Sequence, residues 1–546
     1  MRIITPLQFV LYSSRRMIYM KQKNMILKIY LAVFIALSSC QKNDEGKPVD
    51  SSVLKLTIQA DATRQTIHGF GASDAWSCQF VGKNWPENKK VQMADWLFST
   101  QLDDNGQPLG IGLNTWRFNI GGGSSEQGSA SQISDEWRRA QSFMTCKGVY
   151  DWNKHMGQRW FLKAAKERGV EQFVGFVNSP PVSLTKNGKA FSSDKNHFNL
   201  PEEHYSLFAN YLADISLKLK ELDAIDFKYI SPFNEPQWDW TNKSQEGTPA
   251  QNTEIATVIK LVNNAFEEKN VESQIEIPES AQLNFMYENG GKSGRGYQIY
   301  SFFDPASPEY LGNLSHVAPK VAAHSYYTTW PVNDMATTRR KVSDAIKGNP
   351  EPVEFWMSEY CVLENNSEIE GSGRDLGMKT ALYTSRVIFA DLAIGNASSW
   401  QWWLAISPYD YKDGLVYIDY NKTDGNIYDS KTLWALGNYS RFIKKGMKRV
   451  LINRSDAKTD EQSLNSIMTC AFVSEDKKNA SVIITNYLSA DVPVQLDLNG
   501  MSLSGKLKVY LTDGKSDNNL AFIQEAEPGE SITVPARSVV TLTNVK

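Results

Sequence analysis

Eight short apolar runs recur along the chain, at 66–71, 113–120, 172–177, 227–231, 274–278, 320–324, 353–358 and 397–403. Most are separated by stretches with helical spacing. In 201–222, Tyr205, Phe208, Ala209, Leu212, Ile215 and Leu219 fall on one face, the interval pattern of a helix with one buried side. The stretches 155–168 and 374–394 behave alike. Eight strands alternating with helices predict a (β/α)8 TIM barrel, with an open doubly wound sheet as the competitor. Polar residues gather just after the apolar run in nearly every unit. Barrels carry their active sites at that rim, which favours the barrel. The connection 281–319, long and glycine-rich, fits the pattern least well.

After about residue 440 the texture changes. The stretches 466–472, 480–485, 492–498, 506–511 and 531–543 are short and alternating, divided by Gly, Asn and Asp turns. They predict an appended antiparallel β-sandwich. Near the other chain end, Leu54, Leu56 and Ile58 alternate with Lys55, Thr57 and Gln59, a half-buried strand expected to join the same sandwich. The expected organisation is therefore a sandwich strand at 53–65, a barrel at 66–440 and the sandwich proper at 441–546.

The beginning of the chain reads as an export signal. Lys21, Lys23 and Lys28 precede an apolar run at 29–37 that ends in Leu37-Ser38-Ser39-Cys40. The run is too short to span a membrane and has the order of a signal peptide covering 1–39. Leu-Ser-Ser-Cys resembles the bacterial lipobox, which implies a lipid on Cys40, anchorage to a bacterial membrane, and a flexible tether through residue 52. Residues 1–19 fit this order poorly, and Met20 or Met25 is an alternative start. The net charge of −3, with no stretch dense in Lys or Arg, argues against nucleic acid as a partner. Disulfides are chemically allowed after export. However, Cys78, Cys146, Cys361 and Cys470 are scattered and show no metal-site spacing. No metal, no cofactor and a monomer are expected.

Two glutamates carry the chemistry. In 229–240, YISPFNEPQWDW, a β-type run gives way to Asn234-Glu235-Pro236. Pro236 disfavours helix for Glu235, so this carboxyl belongs at a strand end or in the loop after it. Phe233, Trp238 and Trp240 are flat surfaces suited to stacking on sugar rings and restricting water. A carboxylic acid that donates a proton near neutral pH needs such surroundings, because desolvation raises its pKa. Glu359 ends the seventh run, VEFWMSEY. Two rim carboxylates facing one cleft suit glycoside hydrolysis, in which one protonates the leaving oxygen and the other attacks the anomeric carbon or activates water.

Seven fragments carry a family resemblance: His68-Gly69-Phe70-Gly71-Ala72, Trp116-Arg117-Phe118-Asn119, Asn178-Ser179-Pro180-Pro181, Asn234-Glu235-Pro236, His324-Ser325-Tyr326, Ser358-Glu359-Tyr360 and Trp400-Gln401-Trp402-Trp403. Their order over about 66–440 resembles the retaining glycosidases with Asn-Glu on strand four and Glu on strand seven, and within them glycoside hydrolase family 30. The resemblance implies Glu235 as general acid/base and Glu359 as nucleophile. It implies Asn234 at the sugar 2-hydroxyl, Arg117 beside Glu359 as its balancing cation, Tyr326 donating to Glu359, and Trp402 as the floor under the reacting sugar. Asn178 and His324 become sugar or supporting contacts, and Asp74 a polar sugar contact after the first strand. Glu279, at the end of the fifth run, either touches substrate or braces Glu235. The run 234–240, with Trp238 and Trp240 after the acid/base, is most similar to the endo-β-1,6-galactanase members, implying arabinogalactan side chains as substrate. Other family substrates are β-1,6-glucan, glucuronoxylan and glucosylceramide-like lipids. A surface glycan-binding lipoprotein on a non-catalytic barrel is the alternative from another class.

Overall fold

The computed structural model describes residues 53–503 and 505–545. The signal peptide, Cys40 and the tether lie outside the described residues. Eight parallel strands close into a barrel: Gly69–Ser73, Thr115–Ile120, Gln172–Val177, Phe227–Ser231, Gln274–Ser280, Val317–His324, Glu354–Tyr360 and Ala397–Ser407. The eighth pairs with the seventh through Phe355↔Ala397 and with the first through Ser399↔Gly69, which completes the ring. Parallel neighbours cannot be joined by a tight hairpin, and this requirement explains the helical stretches between the runs. Tyr205–Asp223 buries Phe208, Leu212, Ile215 and Leu219. Asn252–Lys269 opens with a Gln251/Glu254 capping box and ends at Asn270 in the left-handed region, so both termini are satisfied by local chemistry. The poorly patterned connection 281–319 holds one 3-10 turn, Leu283–Met286, and one short helix, Gln298–Phe303.

The first barrel strand begins at Gly69 rather than at 66, because Thr66 ends a different strand. Leu54–Thr66 pairs antiparallel with Lys448–Arg454 and parallel with Val492–Asn499. It lies inside a nine-stranded sheet whose other pairs are antiparallel. The one parallel pair departs from an all-antiparallel sandwich, since its two strands come from opposite chain ends and no hairpin constrains them. The sheet folds over a core of its own, in which Leu56, Ile58, Val482, Val494, Val534 and Val540 are buried together. Its other face, with Met468, Phe472, Ile483 and Val539, belongs to the barrel core. Among the described residues no helix is long and apolar enough to cross a membrane. Cys78, Cys146, Cys361 and Cys470 are all free.

Arg441, just after the helix Lys431–Ser440, ties the barrel's early loops to this region. Its guanidinium is buried and donates to the carbonyls of Ser99 (3.0 Å), Gly110 (2.8 Å), Thr100 (2.6 Å) and Gln101 (3.1 Å). Arg441→Met leaves the Ser99 and Gly110 carbonyls without their buried donor, and we expect it to lower stability by about 2 kcal/mol. Thermal or urea denaturation checks this, and an unchanged midpoint would remove the role assigned to Arg441.

Candidate active site

Both glutamates arrive at the C-terminal mouth of the barrel. Glu235 follows the fourth strand with φ at 49°, in a left-handed conformation that non-glycine residues adopt rarely and that clusters at functional sites. The turn is held from three sides. The Glu235 N–H donates to the Glu279 carbonyl at 2.9 Å, and the Glu235 carbonyl accepts from the Trp238 N–H at 3.2 Å and the Trp240 indole at 3.0 Å. Glu279, at the end of the fifth strand, shares the conformation with φ at 56°. Glu359 lies on the seventh strand itself. A carboxylate oxygen of each of Glu235 and Glu359, together with a ring nitrogen of His324, lie within 4.8 Å of one another.

The surroundings of the two carboxyls differ. Arg117 donates to Glu359 at 2.8 Å and to Glu279 at 3.1 Å, and its guanidinium lies over the Phe176 ring at 4.2 Å. Tyr326 donates its hydroxyl to Glu359 at 3.1 Å. Glu235 faces no arginine. Its Oε1 is 2.9 Å from His324 Nδ1, and His324 Nε2 is 2.9 Å from Glu279. Ser358 also donates to Glu279. Glu279 is fully buried, so it braces the pair and does not line the cleft.

These contacts set the protons. Burial opposes a charge on His324, but the carboxylates of Glu359, Glu235 and Glu279 outweigh it and push the imidazole up to about 10. Burial also raises Glu279, yet Arg117 and His324 hold it far below the usual carboxylate range. Glu235 moves the other way. Burial raises it, the His324 hydrogen bond pulls it back only in part, and repulsion from Glu359 and Glu279 adds to the rise. Two cations, Arg117 and His324, thus face three carboxyl groups. A proton kept on Glu235 leaves the buried cluster neutral, the arrangement that costs least away from water. The trio Glu235, His324 and Glu359 is also spaced for a metal ion. However, His324 is committed on both nitrogens and held as a cation, whereas a metal ligand must be deprotonated.

The other expected site residues separate into two groups. Asn234 and Trp238 line a cleft of about 700 Å³ together with Glu235, Glu359, Tyr326, Tyr327 and Lys292. Asn234 donates to Asn178 at 3.0 Å, and Asn178 leans on Asn119 at 3.4 Å, which leaves the Asn234 Oδ1 without a protein partner and free to accept from a sugar hydroxyl. Asn178, His324 and Arg117 support this first group from behind.

One expectation needs correction. Trp402 is fully buried, and its indole donates to the Asp413 carbonyl at 2.6 Å. The adjacent Trp403 lines the cleft instead. Successive side chains on a strand point to opposite faces, so an offset of one residue moves the ring out of the site. Asp74 is also enclosed, accepting from the Asn119 N–H at 2.8 Å and Gln158 at 2.9 Å. Both bonds fall on Oδ1 and fasten the first strand to the second, while Oδ2 is buried without a protein partner. Of the two roles expected for Glu279, the structure gives the bracing one, through His324, Arg117 and Ser358; Trp403, one residue from the expected ring, is the cleft residue that sequence reasoning missed.

Residues 53–417 match the family model for O-glycosyl hydrolase family 30. The chain belongs to glycoside hydrolase family 30. That family is one of O-glycosyl hydrolases. A conserved exported protein from Bacteroides fragilis has the same architecture, with a TM-score of 0.83 and 33% identity over 90% of this chain and 100% of that one. The catalytic domain of family 30 xylanase C from Talaromyces cellulolyticus shares the fold at a TM-score of 0.65 and 19% identity, over 90% of this chain and 99% of that one. An exo-β-1,6-galactobiohydrolase of Bifidobacterium longum subsp. longum is 24% identical over 37% of this family 30 chain, and the match spans 16% of that protein's length.

Proposed function

We propose that the protein hydrolyses β-1,6-linked galactan, of the kind found in arabinogalactan side chains, by double displacement. The observation that carries the mechanism is the approach of Glu235 and Glu359 to within 4.8 Å, close to the roughly 5–5.5 Å of retaining glycosidases and too near for an intervening nucleophilic water. Glu359, oriented by Arg117 and Tyr326, attacks the anomeric carbon. Glu235 gives its proton to the glycosidic oxygen as that bond breaks, leaving a covalent glycosyl-enzyme. Water then attacks the same carbon, its proton returns to Glu235, and Glu359 departs. His324 eases the first step, because the charge left on Glu235 appears 2.9 Å from a cationic imidazole instead of in an unpaired dry site. Asn234 holds the 2-hydroxyl, a contact that strengthens as the ring flattens, and Trp403 supplies the floor.

Support for galactan is of two kinds: Trp238 and Trp240 directly after the acid/base, and the partial match to a relative named for β-1,6-galactose linkages. Reducing-sugar release from a panel of arabinogalactan, β-1,6-glucan and glucuronoxylan tests the choice. We expect release from arabinogalactan at least about tenfold faster than from the others, the discrimination available to a shaped polar pocket. Faster release from either of the others would move the substrate there and leave the mechanism in place. A second reading, glycan binding without catalysis, would require no release from any member of the panel.

A further inference from the structure

We infer that the glycone side of the cleft is closed by a latch centred on Asp135, so that the enzyme takes its polysaccharide from a chain end. This rests on the catalytic roles proposed above, which orient the substrate. The acid stands beside the leaving group, so the leaving part of the glycan runs along the loop that carries Glu235, where Trp238 and Lys292 line open cleft with Tyr327. The retained sugar lies on the other side of Glu359, over Trp403.

Behind Trp403 stands a wall of packed side chains from three loops. Trp76, from the loop after the first strand, packs edge-on against Trp403 at 5.4 Å and against Tyr409 at 6.4 Å. The Arg138 guanidinium, from the loop after the second strand, lies over both Trp76 (5.2 Å) and Tyr409 (5.1 Å). Tyr409 comes from the loop after the eighth strand. One carboxylate fastens this assembly. Asp135 accepts from the hydroxyls of Tyr409 (2.9 Å) and Tyr420 (2.8 Å), and also caps the 3-10 turn Glu136–Arg138 by accepting from the Trp137 N–H at 3.0 Å. An ion pair between Glu136 and Lys422 joins the same two loops a second time.

The wall also offers unpaired polar atoms. The Trp76 indole N–H and, two residues before it in the same loop, the Asp74 Oδ2 are buried and without a protein partner. Such groups are costly when left unpaired, and a terminal sugar, with one more free hydroxyl than an internal unit, supplies both a donor and an acceptor. A closed aromatic wall with unsatisfied polar groups is the surface that a chain end fits and a continuing chain does not. This differs from the internal attack implied by the resemblance of 234–240.

The test follows early products from β-1,6-galacto-oligosaccharides of defined length, labelled at the reducing end and read by mass. The native enzyme is expected to shorten every chain by the same small unit from the non-reducing end. Asp135→Asn combined with Tyr420→Phe removes the latch's charge and an exposed hydroxyl, and should raise the share of internal cuts roughly tenfold, with Tm recorded as a control for folding. A ladder of internal products from the native enzyme at early times overturns the inference. So does a latch variant of unchanged Tm whose products match those of the native enzyme. If galacto-oligosaccharides are not cut and another panel glycan is, the galactan reading fails, and the same length analysis on that glycan still decides the latch.

Discussion

Glu359→Ala is expected to lower kcat by about 10⁴-fold or more, the scale seen when a nucleophile is removed from an otherwise intact site. The fold should survive, because Arg117 keeps Glu279 at 3.1 Å as a counter-ion and a buried cation with a partner is tolerated. The cavity left by the carboxylate gives a stringent check. Azide entering there should attack the anomeric carbon of an activated aryl glycoside from the face that Glu359 occupied. The product is then an α-glycosyl azide, inverted relative to a β-substrate. Activity within tenfold of the native enzyme, or rescue that gives the β-azide, would remove Glu359 from the nucleophile's role.

Glu235→Ala should behave differently, and the difference distinguishes the two carboxyls. On polysaccharide, whose leaving group needs a proton, kcat/KM is expected to fall by about 10³-fold, within the range for loss of a general acid. An aryl glycoside with an acidic phenol needs no such help, so its first step survives and the glycosyl-enzyme accumulates. KM should fall, and azide should now yield the β-glycosyl azide. The pH profile supplies an independent readout. The acid works only while it holds its proton, so native kcat/KM should decline as pH rises through the elevated pKa of Glu235. That basic limb should flatten for the aryl substrate in the variant. A basic limb that persists unchanged in Glu235→Ala would assign it to another group, with His324 first in line.

The fold was legible because a barrel strand is buried on both sides and announces itself as a short continuous apolar run. All eight runs became barrel strands. The start of the first was blurred where one strand ends at Thr66 and the next begins at Gly69. The placement of Glu235 and Glu359 was legible for the same reason, since each follows or ends such a run. Trp402 shows where the reading stops. Four residues contain three tryptophans, and only the phase of the strand decides which ring faces the cleft. That phase is altered by register shifts between Met357 and Tyr360 and between Trp402 and Leu404, which composition does not encode. The Asp135 latch was invisible for another reason. It joins loops separated by 274 and 285 residues, and nothing local in either loop marks its partner.

The strand Leu54–Thr66 has a mechanical consequence. Its first half is paired on both sides, with Arg454–Leu451 from Leu56 to Gln59 and with Val494–Asn499 from Leu54 to Gln59. A pull on the chain from residue 53 therefore acts along the strand axis and loads both rows of backbone hydrogen bonds in shear, where many must fail together instead of unzipping singly. The point at which the polypeptide enters the folded body is thus also where it resists extraction.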